Sequence, residues 1–358
     1  MADSAPPGCS TRHAVILAAG ESKRTRPLTS HRPKPLIPLL DRPLLAHILD
    51  ALVGLVERAT LVVGYRAEMV EAAFGAAYRG IELRYVRQSL ANGTAGALLA
   101  AGPHDEPFFL LYGDNLVARE DVLGVCRGRY GVAGLPVPDA RSFGVLEVEG
   151  GLVRRIVEKP ADPPPGALAN PGIYHLDGAI FPLLARIAPS PRGELELTDL
   201  VGALAATGPV LPHVCAGHWV PVGTPWEALS AAQFLAATRP GGPVYVHPEA
   251  QVHPGARLIG PAAIGPGCSV GAGALVEASV LGPGCSVGAG ALVRASWLDD
   301  DATVGDGATL EARPFEELQP TAEVRGALSR EQLVTRGAIV SRGAAVPAGA
   351  TVAPGTVV

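Results

Sequence analysis

Positive charge is concentrated in one stretch of the chain, directly after the first predicted strand. Residues 21–42 carry six arginine and lysine side chains against two acidic ones, although the whole chain has a formal net charge of −5. The stretch follows Gly20 and the short apolar run of residues 14–18. Fixed cations beside the exposed N–H groups of such a turn favour the binding of polyanions such as phosphates. On charge alone, a solvated basic loop is the alternative.

Lysine is rare in this chain, and its positions help to decide between an anion-binding site and a solvated basic loop. Of 29 basic side chains, only Lys23, Lys34 and Lys159 are lysines. Lysine is a compact, strongly hydrated point charge, whereas arginine is a planar fork. The lysines that remain in an arginine-rich chain are therefore candidates for specific anion contacts. Two of them lie in the basic stretch, and Lys159 follows a carboxylate at Glu158.

The elements that must position these side chains alternate between strand and helix from His13 to about Leu235. The predicted strands are residues 14–18, 60–63, 83–86 and 108–111, and the predicted helices are residues 43–52, 67–78 and 94–101. This alternation predicts an α/β fold with a Rossmann-like, mostly parallel sheet that carries helices on both faces. Ligands of such sheets bind at the carboxyl ends of the strands. We therefore expect the site in the loops after Ala18 and Leu111.

A different repeat begins after residue 242. Large aliphatic residues recur every six positions from Val246 to Val276 and, after one step of five, continue from Leu281; the repeat returns from Val340 to the end. From Val252 onward, a small residue stands two positions before each of them. Such a repeat does not fit a helix face, but it fits a coil that turns a corner every six residues, with the aliphatic side chains inside.

This repeat resembles the left-handed parallel β-helix of hexapeptide-repeat proteins. We assign residues 243–358 to such a C-terminal left-handed parallel β-helix, interrupted around residues 311–337, and residues 12–238 to the α/β domain. Cys268 and Cys285 occupy the small position of the repeat, which predicts that they fill the core.

Composition excludes several classes of protein. The net charge of −5 argues against a general nucleic-acid binder, which carries a basic face. No apolar stretch reaches the length of about 18 residues that a membrane span needs, and residues 1–11 lack the pattern of a secretion signal. The five cysteines are odd in number and lack CxxC spacing. They are therefore interpreted as reduced, mostly buried thiols of a cytoplasmic protein.

The basic stretch reads LAAGESKRTRPLT and continues to RPK. It resembles the signature LxxGxGTRxxPLT…PK of the sugar-nucleotide pyrophosphorylases, also called NDP-sugar nucleotidyltransferases. In that family the glycine-rich loop wraps a triphosphate, the arginine contacts the departing pyrophosphate, and the later lysine holds phosphate. The resemblance implies these two roles for Arg24 and Lys34. Ser22 and Lys23 replace the second glycine and the threonine of the signature, and a serine is costly there if the position requires φ > 0.

Further motifs of the same family follow in order. They are Gln88 with Gly-Thr-Ala at 93–95, LYGD ending at Asp114, SFGV and VEKP around 142–160, NPGIY from Asn170, and GELELTD from Gly193. The resemblance implies a nucleotide-binding set, Leu17, Ala19, Gly20, Lys23, Gln88, Gly93 and Thr94. It implies a sugar-binding set, Gly144, Glu158 and Asn170. It implies Asp114 as the Mg²⁺ ligand, and Arg24, Lys34 and Lys159 as the catalytic cations. Where many members have a second metal-binding aspartate, this chain has Pro221, which cannot bind a metal.

The resemblance implies the attack of a sugar 1-phosphate on the α-phosphorus of a nucleoside triphosphate, which gives an NDP-sugar and pyrophosphate. No general base is needed, because the second pKa of a phosphate monoester is about 6. Gln88 and the Gly-Thr-Ala segment favour UTP or dTTP. A GTP-dependent mannose-1-phosphate guanylyltransferase and a non-catalytic regulatory paralogue that binds nucleotide sugar are the open alternatives.

The β-helix raises the question of a second activity. Related two-domain enzymes acetylate amino sugar phosphates with a histidine base near the coil edge, assisted by asparagine and lysine. Here the repeats contain only His247 and His253 and have no lysine or asparagine. We therefore expect no acetyl transfer, and we expect the β-helix to assemble a homo-oligomer, a trimer or a multiple of it.

Overall fold

The computed structural model describes residues 9–90, 92–191, 193–314 and 335–358. Most of the predicted interruption of the repeat, residues 315–334, lies outside the described residues. The chain divides into two compact units. The first extends to Glu21 and from Leu45 to Trp219, and the second comprises Ser22–Leu44 and Val220–Val358. Each predicted domain is one continuous segment, whereas each compact unit combines two separate segments of the chain. The second unit contains most of the basic stretch together with the repeats.

The helices are short. They are α1 Leu44–Asp50, α2 Ala67–Phe74, α3 Thr94–Ala101, α4 Arg119–Gly124, α5 Phe181–Leu184, α6 Leu197–Ala205 and α7 Pro225–Thr238, with 3₁₀ turns at Lys23–Thr25, Lys34–Leu36 and Gly178–Ile180. The predicted helix 94–101 is confirmed at both ends. Helix α2 ends earlier than predicted because Gly75, at φ 61°, caps it and the chain then returns as a strand. Each described helix is too short or too polar to cross a membrane.

The strands of the first part of the chain are β1 His13–Ala18, β2 Pro38–Leu39, β3 Arg42–Pro43, β4 Arg58–Val63, β5 Ala77–Tyr78, β6 Ile81–Arg87, β7 Phe108–Tyr112, β8 Asn115–Val117, β9 Tyr130–Pro136, β10 Gly144–Glu149, β11 Leu152–Glu158, β12 Leu168–Ala169, β13 Ile173–Leu176, β14 Val210–Val214 and β15 Trp219–Pro221. The four predicted strands are all present, each one to three residues longer than predicted.

One large sheet organises the first unit. Its order is β11-β10-β12-β9-β13-β7-β1-β4-β6-β5, with β14 beside β9. The centre, from β6 through β4 and β1 to β7, is parallel, and Leu17 of β1 lies opposite Val62 and Tyr112. The loops after β1 and β7 therefore leave the sheet at the same edge, as predicted. Helix α3 packs against β1 and β4.

The sheet becomes mixed on the far side of β7. Strand β13 runs antiparallel to β7 and β9, and β10 pairs antiparallel with both β11 and β12. The turn between β10 and β11 contains Gly150 and Gly151, at φ 59° and 77°, values that glycine adopts without steric cost. This mixed half contributes the predicted sugar-side residues.

The repeats form three flat sheets of five parallel strands each. Their strands are β16 Val244–Val246, β17 Gln251–Val252, β18 Arg257–Ile259, β19 Ala262–Ile264, β20 Ser269–Val270, β21 Leu275–Glu277, β22 Val280–Leu281, β23 Ser286–Val287, β24 Leu292–Arg294, β25 Trp297–Leu298, β26 Thr303–Val304, β27 Thr309–Leu310, β30 Ile339–Val340, β31 Ala345–Val346 and β32 Thr351–Val352. The sheets are β16-β19-β22-β25-β30, β17-β20-β23-β26-β31 and β18-β21-β24-β27-β32. Between the last two coils, β28 Arg313–Pro314 and β29 Thr335–Arg336 form an antiparallel pair. The predicted β-helix is confirmed.

The aliphatic and small positions of the repeat form the core of the β-helix. From Ile264 to Val346 the aliphatics are at most 3% exposed. Cys268 and Cys285 are free, buried thiols in this core, as predicted. The repeat contains a second five-residue step, from Val293 to Leu298, which the single predicted step did not include. At the two shortened corners, Ala278 and Ala295 adopt φ 48° and 41°.

The prediction that every cysteine is reduced is wrong for one pair. Cys9 and Cys126 form a disulfide, although 117 residues separate them along the chain. Count and spacing did not indicate this bond because a disulfide depends on which residues the fold brings together. The predicted cytoplasmic location, which rested on reduced thiols, loses that support.

Candidate active site

Close backbone contacts shape the carboxyl edge of the parallel strands. Leu17 O accepts a hydrogen bond from Gly113 N (2.9 Å), and Ala19 O accepts one from Tyr65 N (3.2 Å). A Cβ added at Gly64 would lie 2.4 Å from Ala19 O, so this position requires glycine. The predicted nucleotide-side residues Leu17, Ala19 and Gly20 therefore lie at the tightly packed end of β1.

The first half of the basic stretch is anchored by buried threonines while its cations face outward. Thr25 donates to Gly223 O (3.0 Å), and Thr29 donates to Ser22 O (3.0 Å). Both threonines are at most 1% exposed. Lys23 and Arg24 lie in the intervening 3₁₀ turn and are exposed. The turn presents cations on a fixed backbone, which is the arrangement that polyanion binding requires.

Ser22 adopts a left-handed backbone conformation. This conformation is strained for serine, but it would not be strained for the glycine that the family signature has at this position. The φ and ψ of Ser22 are 54° and 47°, in the left-handed region. A residue other than glycine pays about 1–2 kcal/mol for this conformation. The condition stated for the signature, that serine is costly if φ is positive, is therefore met.

We expect Ser22→Gly to stabilise the protein by about 0.5–1 kcal/mol, because relief of the backbone strain exceeds the entropy that glycine adds to the unfolded chain. The denaturant midpoint, followed by circular dichroism, measures the effect. Ser30→Gly is the matched control: Ser30 lies in the same stretch, is exposed, and is outside the left-handed region. If Ser22→Gly lowered the denaturant midpoint by as much as Ser30→Gly, the prediction would be wrong.

Lys34 is one of two buried cations of the stretch, the other being Arg32. It begins the 3₁₀ turn Lys34–Leu36 between Pro33 and Pro35, and only 7% of it is exposed. Its carbonyl accepts a hydrogen bond from Ile37 N (3.0 Å). A buried ammonium is costly unless acceptors or anions surround it. The two flanking prolines leave its backbone little freedom.

The predicted base-reading segment is braced by hydrogen bonds. The Gln88 Nε2 atom donates to Asn92 Oδ1 (3.0 Å) and Gly93 O (3.3 Å). Gly93 has φ 97°, and a Cβ there would lie 2.5 Å from Leu195 O. Thr94 Oγ1 accepts a hydrogen bond from Leu197 N (2.9 Å), which ties the start of α3 to the start of α6. These contacts fix the segment, and its role in reading a base remains a prediction.

Asp114 directly follows the edge where β1 and β7 end. It is partly buried, and Asn115 next to it donates to Pro171 O (2.8 Å). Burial raises the pKa of Tyr112 to about 12, and the charges of Glu158 and Asp114 act in the same direction. Mg²⁺ is commonly bound by one or two carboxylates plus substrate phosphates. A carboxylate at this position is chemically suited to such an ion, and Asp114 as its ligand stays a prediction, whereas the Pro221 side chain in β15 offers no ligand atom.

The predicted sugar-side residues come together in the mixed half of the sheet. Gly144 lies opposite Glu158 in the β10–β11 pair, and its carbonyl accepts from Asn170 N (2.8 Å). A Cβ at Gly144 would lie 3.1 Å from Glu158 Oε2. Lys159 N donates to Phe143 O (3.0 Å). The chain positions of these residues are far apart, and the sheet alone assembles them.

Lys159 is held in a strained backbone conformation. Its φ is 48°, its Nζ lies 4.0 Å from Glu158 Oε1, and 46% of its side chain is exposed. Left-handed backbone at a residue other than glycine is found preferentially at functional sites, where the surrounding contacts maintain it. In this conformation the exposed Lys159 ammonium lies beside the carboxylate that is predicted to bind the sugar.

A pair of tyrosines near these residues was not predicted from the sequence. The Tyr112 and Tyr174 hydroxyls lie 3.3 Å apart. Asn170 Nδ2 donates to the Tyr174 hydroxyl (2.6 Å), and Asn170 Oδ1 accepts from Gly172 N (2.9 Å). Both ends of the Asn170 amide are therefore engaged by the protein. Tyr112 stands within the LYGD motif, but only the fold shows that it faces Tyr174.

A cavity of about 700 Å³ opens beside Glu158 and Lys159. Its polar lining further includes Arg186, Ser190, Glu196, Thr198 and Asp199. Glu196 is buried and accepts from Ser190 Oγ (3.0 Å). Burial, and then the Glu196 charge, raises the pKa of Asp199. The volume is within the range of small-molecule sites, and the lining offers both hydrogen-bonding groups and a cation.

These features define an α/β protein with a basic loop after its first strand and a polar cavity beside Glu158 and Lys159, followed by a parallel β-helix. Residues 13–238 match the family model described as nucleotidyl transferase, and residues 241–358 match the one described as GMPPB C-terminal domain. The chain belongs to the nucleotidyl transferase family. Nucleotidyltransferases of this kind generally use a divalent metal.

Three relatives illustrate the family. The bifunctional protein GlmU of Methanocaldococcus jannaschii is 34% identical over 62% of this chain and 54% of its own length. The UTP–glucose-1-phosphate uridylyltransferase AglF of Haloferax volcanii is 32% identical over 62% of this chain and 96% of its own. The glucose-1-phosphate thymidylyltransferase of Streptomyces griseus is 34% identical over 72% of this chain and 79% of its own. The chain spans about half the length of the GlmU proteins it matches.

A solved structure of UDP-glucose pyrophosphorylase in complex with UDP-glucose has the same fold. It covers 64% of this chain and 100% of its own, with a TM-score of 0.58 and 22% sequence identity. At this identity the likeness concerns the fold alone.

Proposed function

We propose that this protein transfers a nucleotidyl group from a nucleoside triphosphate to a sugar 1-phosphate, and so releases pyrophosphate. The observation that carries the proposal is the grouping of Gly144, Glu158, Lys159 and Asn170 through the β10–β11 pair and its neighbours. These residues combine acceptors for hydroxyl groups with an exposed cation for phosphate, beside a cavity of suitable size. The names of the uridylyl- and thymidylyltransferase relatives support the same reaction class.

The reaction requires two mutually repelling anions to meet and charge to be stabilised on the leaving group. A sugar phosphate with a second pKa of about 6 is mostly a dianion at neutral pH, so the protein need not remove a proton. Arg24 and Lys34 are assigned to the nucleotide phosphates and Lys159 to the sugar phosphate. In phosphoryl transfer the protein contributes mainly by positioning the reactants and stabilising charge, and fixed cations serve both purposes.

The predicted metal is Mg²⁺, with Asp114 as its protein ligand. When bound, such an ion neutralises phosphate charge. The backbone amides of the turn after Gly20, together with Lys23, are assigned to the same predicted triphosphate site.

The test is pyrophosphate release with Mg²⁺ over UTP, dTTP, GTP, ATP and CTP, combined with glucose, mannose and N-acetylglucosamine 1-phosphates. We expect turnover with UTP or dTTP to exceed the others, and Lys159→Ala to raise KM for the sugar phosphate at least tenfold. Arg154→Ala is the control, since Arg154 is exposed on β11 and pairs with Glu149 (3.2 Å). Pyrophosphate release from no pair, with nucleotide sugars still bound, would favour the regulatory paralogue.

A GTP-dependent mannose-1-phosphate guanylyltransferase is the second candidate. The match of residues 241–358 to the model described as GMPPB C-terminal domain is the observation that favours it. Preferred turnover of GTP with mannose 1-phosphate in the same panel would establish it in place of the first. Acetyl transfer remains unexpected, and turnover of acetyl-coenzyme A would overturn that expectation.

The remaining predictions concern organisation. We propose that residues 12–238 act as the nucleotidyltransferase domain and that the β-helix of residues 243–358 assembles a homo-oligomer, with a trimer as its simplest form. We retain a cytoplasmic location as part of the proposal, without the cysteine argument. No nucleic acid or membrane partner is proposed.

A further inference from the structure

Arg32, in the basic stretch, binds two carboxylates of the β-helix. Its Nη2 lies 2.9 Å from Asp299 Oδ1 and 2.5 Å from Asp300 Oδ2. Its Nε donates to His31 Nε2 (2.8 Å). The Arg32 side chain is 9% exposed and that of Asp299 is 1% exposed. This is a buried ionic contact across 267 residues of sequence, and both partners belong to the second compact unit.

The two aspartates are part of a rigid coil. They directly follow β25, whose residues Trp297 and Leu298 are fully buried. Asp299 N donates to Val340 O (2.8 Å) on the next coil, and Asp299 O accepts from Cys285 Sγ (3.0 Å) on the preceding one. The backbone beneath the carboxylates is thus fixed on both sides. A side chain bound to them is held in one place.

Arg32 is separated from Lys34 by a single proline. Pro33 has φ −72° and ψ 154°, and the 3₁₀ turn that begins at Lys34 follows at once. Proline restricts its own φ and disfavours the helical region for the residue before it. Few free backbone torsions lie between the two residues, so the backbone position of Lys34 follows closely from that of Arg32, whose side chain is itself buried.

Stability alone does not account for this contact. The cost of desolvating a buried ion pair often cancels the attraction between its charges. Apolar residues of similar size, packed in its place, commonly stabilise a protein to the same extent. An ionic contact also adds direction, because the planar guanidinium donates to carboxylates in only a few orientations. A contact of this kind is suited to holding a loop in one position.

We propose that Asp299 and Asp300 are positioning residues for nucleotidyl transfer, which hold Arg32 and thereby set Lys34 for the triphosphate. The β-helix is on this view part of the transferase machinery as well as a means of assembly. The proposal rests on the proposed function, because Lys34 has a phosphate to bind only if a nucleotide is the ligand.

Titration provides a signature of this role. Burial raises the pKa of Asp299 to about 6, the Asp300 charge acts in the same direction, and Arg32 and Arg342 oppose them. His31 also faces the carboxylate, with its Nε2 3.6 Å from Asp299 Oδ2. Below pH 6 the wild-type contact therefore loses one of its two negative charges. A variant that lacks this charge should resemble the wild type in acid and differ from it at pH 8.

Asp299→Asn removes the charge with little change of shape. Asp299 Oδ2 is buried and has no hydrogen-bond partner among the described residues, while Oδ1 accepts from Arg32. An amide can keep the latter bond. Asp300→Asn is the second variant, and Asp301→Asn is the matched control, because Asp301 is the next residue, is exposed, and lies 3.9 Å from Arg342.

The experiment uses the full chain and two readouts. At pH 8 we expect Asp299→Asn and Asp300→Asn to lower kcat/KM for the triphosphate about tenfold, with KM for the sugar phosphate unchanged. The ratio of wild type to Asp299→Asn should approach one below pH 6, and Asp301→Asn should match the wild type throughout. Hydrogen exchange should show faster exchange of the amides of residues 31–37 in the two variants and not in the control.

The two readouts separate the failure of this proposal from that of the proposed function. Unchanged exchange at residues 31–37, or faster exchange without loss of kcat/KM, would overturn the positioning role while turnover by the wild type upheld the reaction. A wild type without turnover for any substrate pair would overturn both, even if exchange showed that the contact holds the loop.

Discussion

Arg24→Ala is expected to lower kcat about 10²–10³-fold, the usual effect of removing one group that stabilises transition-state charge. Arg24 is exposed in the 3₁₀ turn whose neighbours Thr25 and Thr29 are buried and hydrogen-bonded, so the variant should keep its backbone. The departing pyrophosphate gains charge as its bond to the α-phosphorus breaks. A cation that contacts it therefore contributes more in the transition state than in the ground state.

Steady-state kinetics with both substrates varied would measure this effect. KM for the sugar phosphate should change by less than about threefold, because Arg24 is assigned to the nucleotide. Arg154→Ala, an exposed arginine on β11, should retain wild-type kinetics. An equal loss in kcat and in sugar phosphate binding would show that Arg24 does not act on the leaving group.

Asp114→Asn is expected to produce the second large effect, a fall in kcat/KM of about 10²-fold together with weaker metal activation. Asp114 is the carboxylate that lies two residues beyond the end of β7. Asparagine keeps the shape of the side chain but removes the negative charge that a hard divalent cation prefers. The concentration of Mg²⁺ for half-maximal activity should rise.

A titration of activity against Mg²⁺ at saturating substrates is the measurement. Asp105→Asn is the matched control, because Asp105 is exposed and lies just before β7, at its opposite end. An Asp114→Asn enzyme with unchanged dependence on Mg²⁺ would remove Asp114 from the metal site. With Pro221 unable to replace it, the ion would then have to be held by phosphates and other protein groups.

Prediction from sequence succeeded where the deciding interactions are local or periodic. The phase of large and small residues placed the β-helix core, because only one side of each flat face can be buried, and the buried thiols Cys268 and Cys285 follow from the same rule. Alternating apolar runs placed β1, β4, β6 and β7 because each is short and continuous. The second five-residue step was missed, and the structure accommodates it by a left-handed alanine, Ala295.

The sequence by itself determined the two fold types, the family signature and the residue types that an anion site requires. It also determined that Ser22 would be strained if its φ were positive. Only the tertiary structure decided the contacts between distant residues. These are the Cys9–Cys126 disulfide, the Tyr112–Tyr174 pair, the assembly of Gly144 with Glu158 and Asn170, and the hold of Asp299 and Asp300 on Arg32. These contacts escape sequence analysis for one physical reason. Each requires two distant backbone segments to come close, and strand order and coil register, which no local pattern encodes, decide which segments do so.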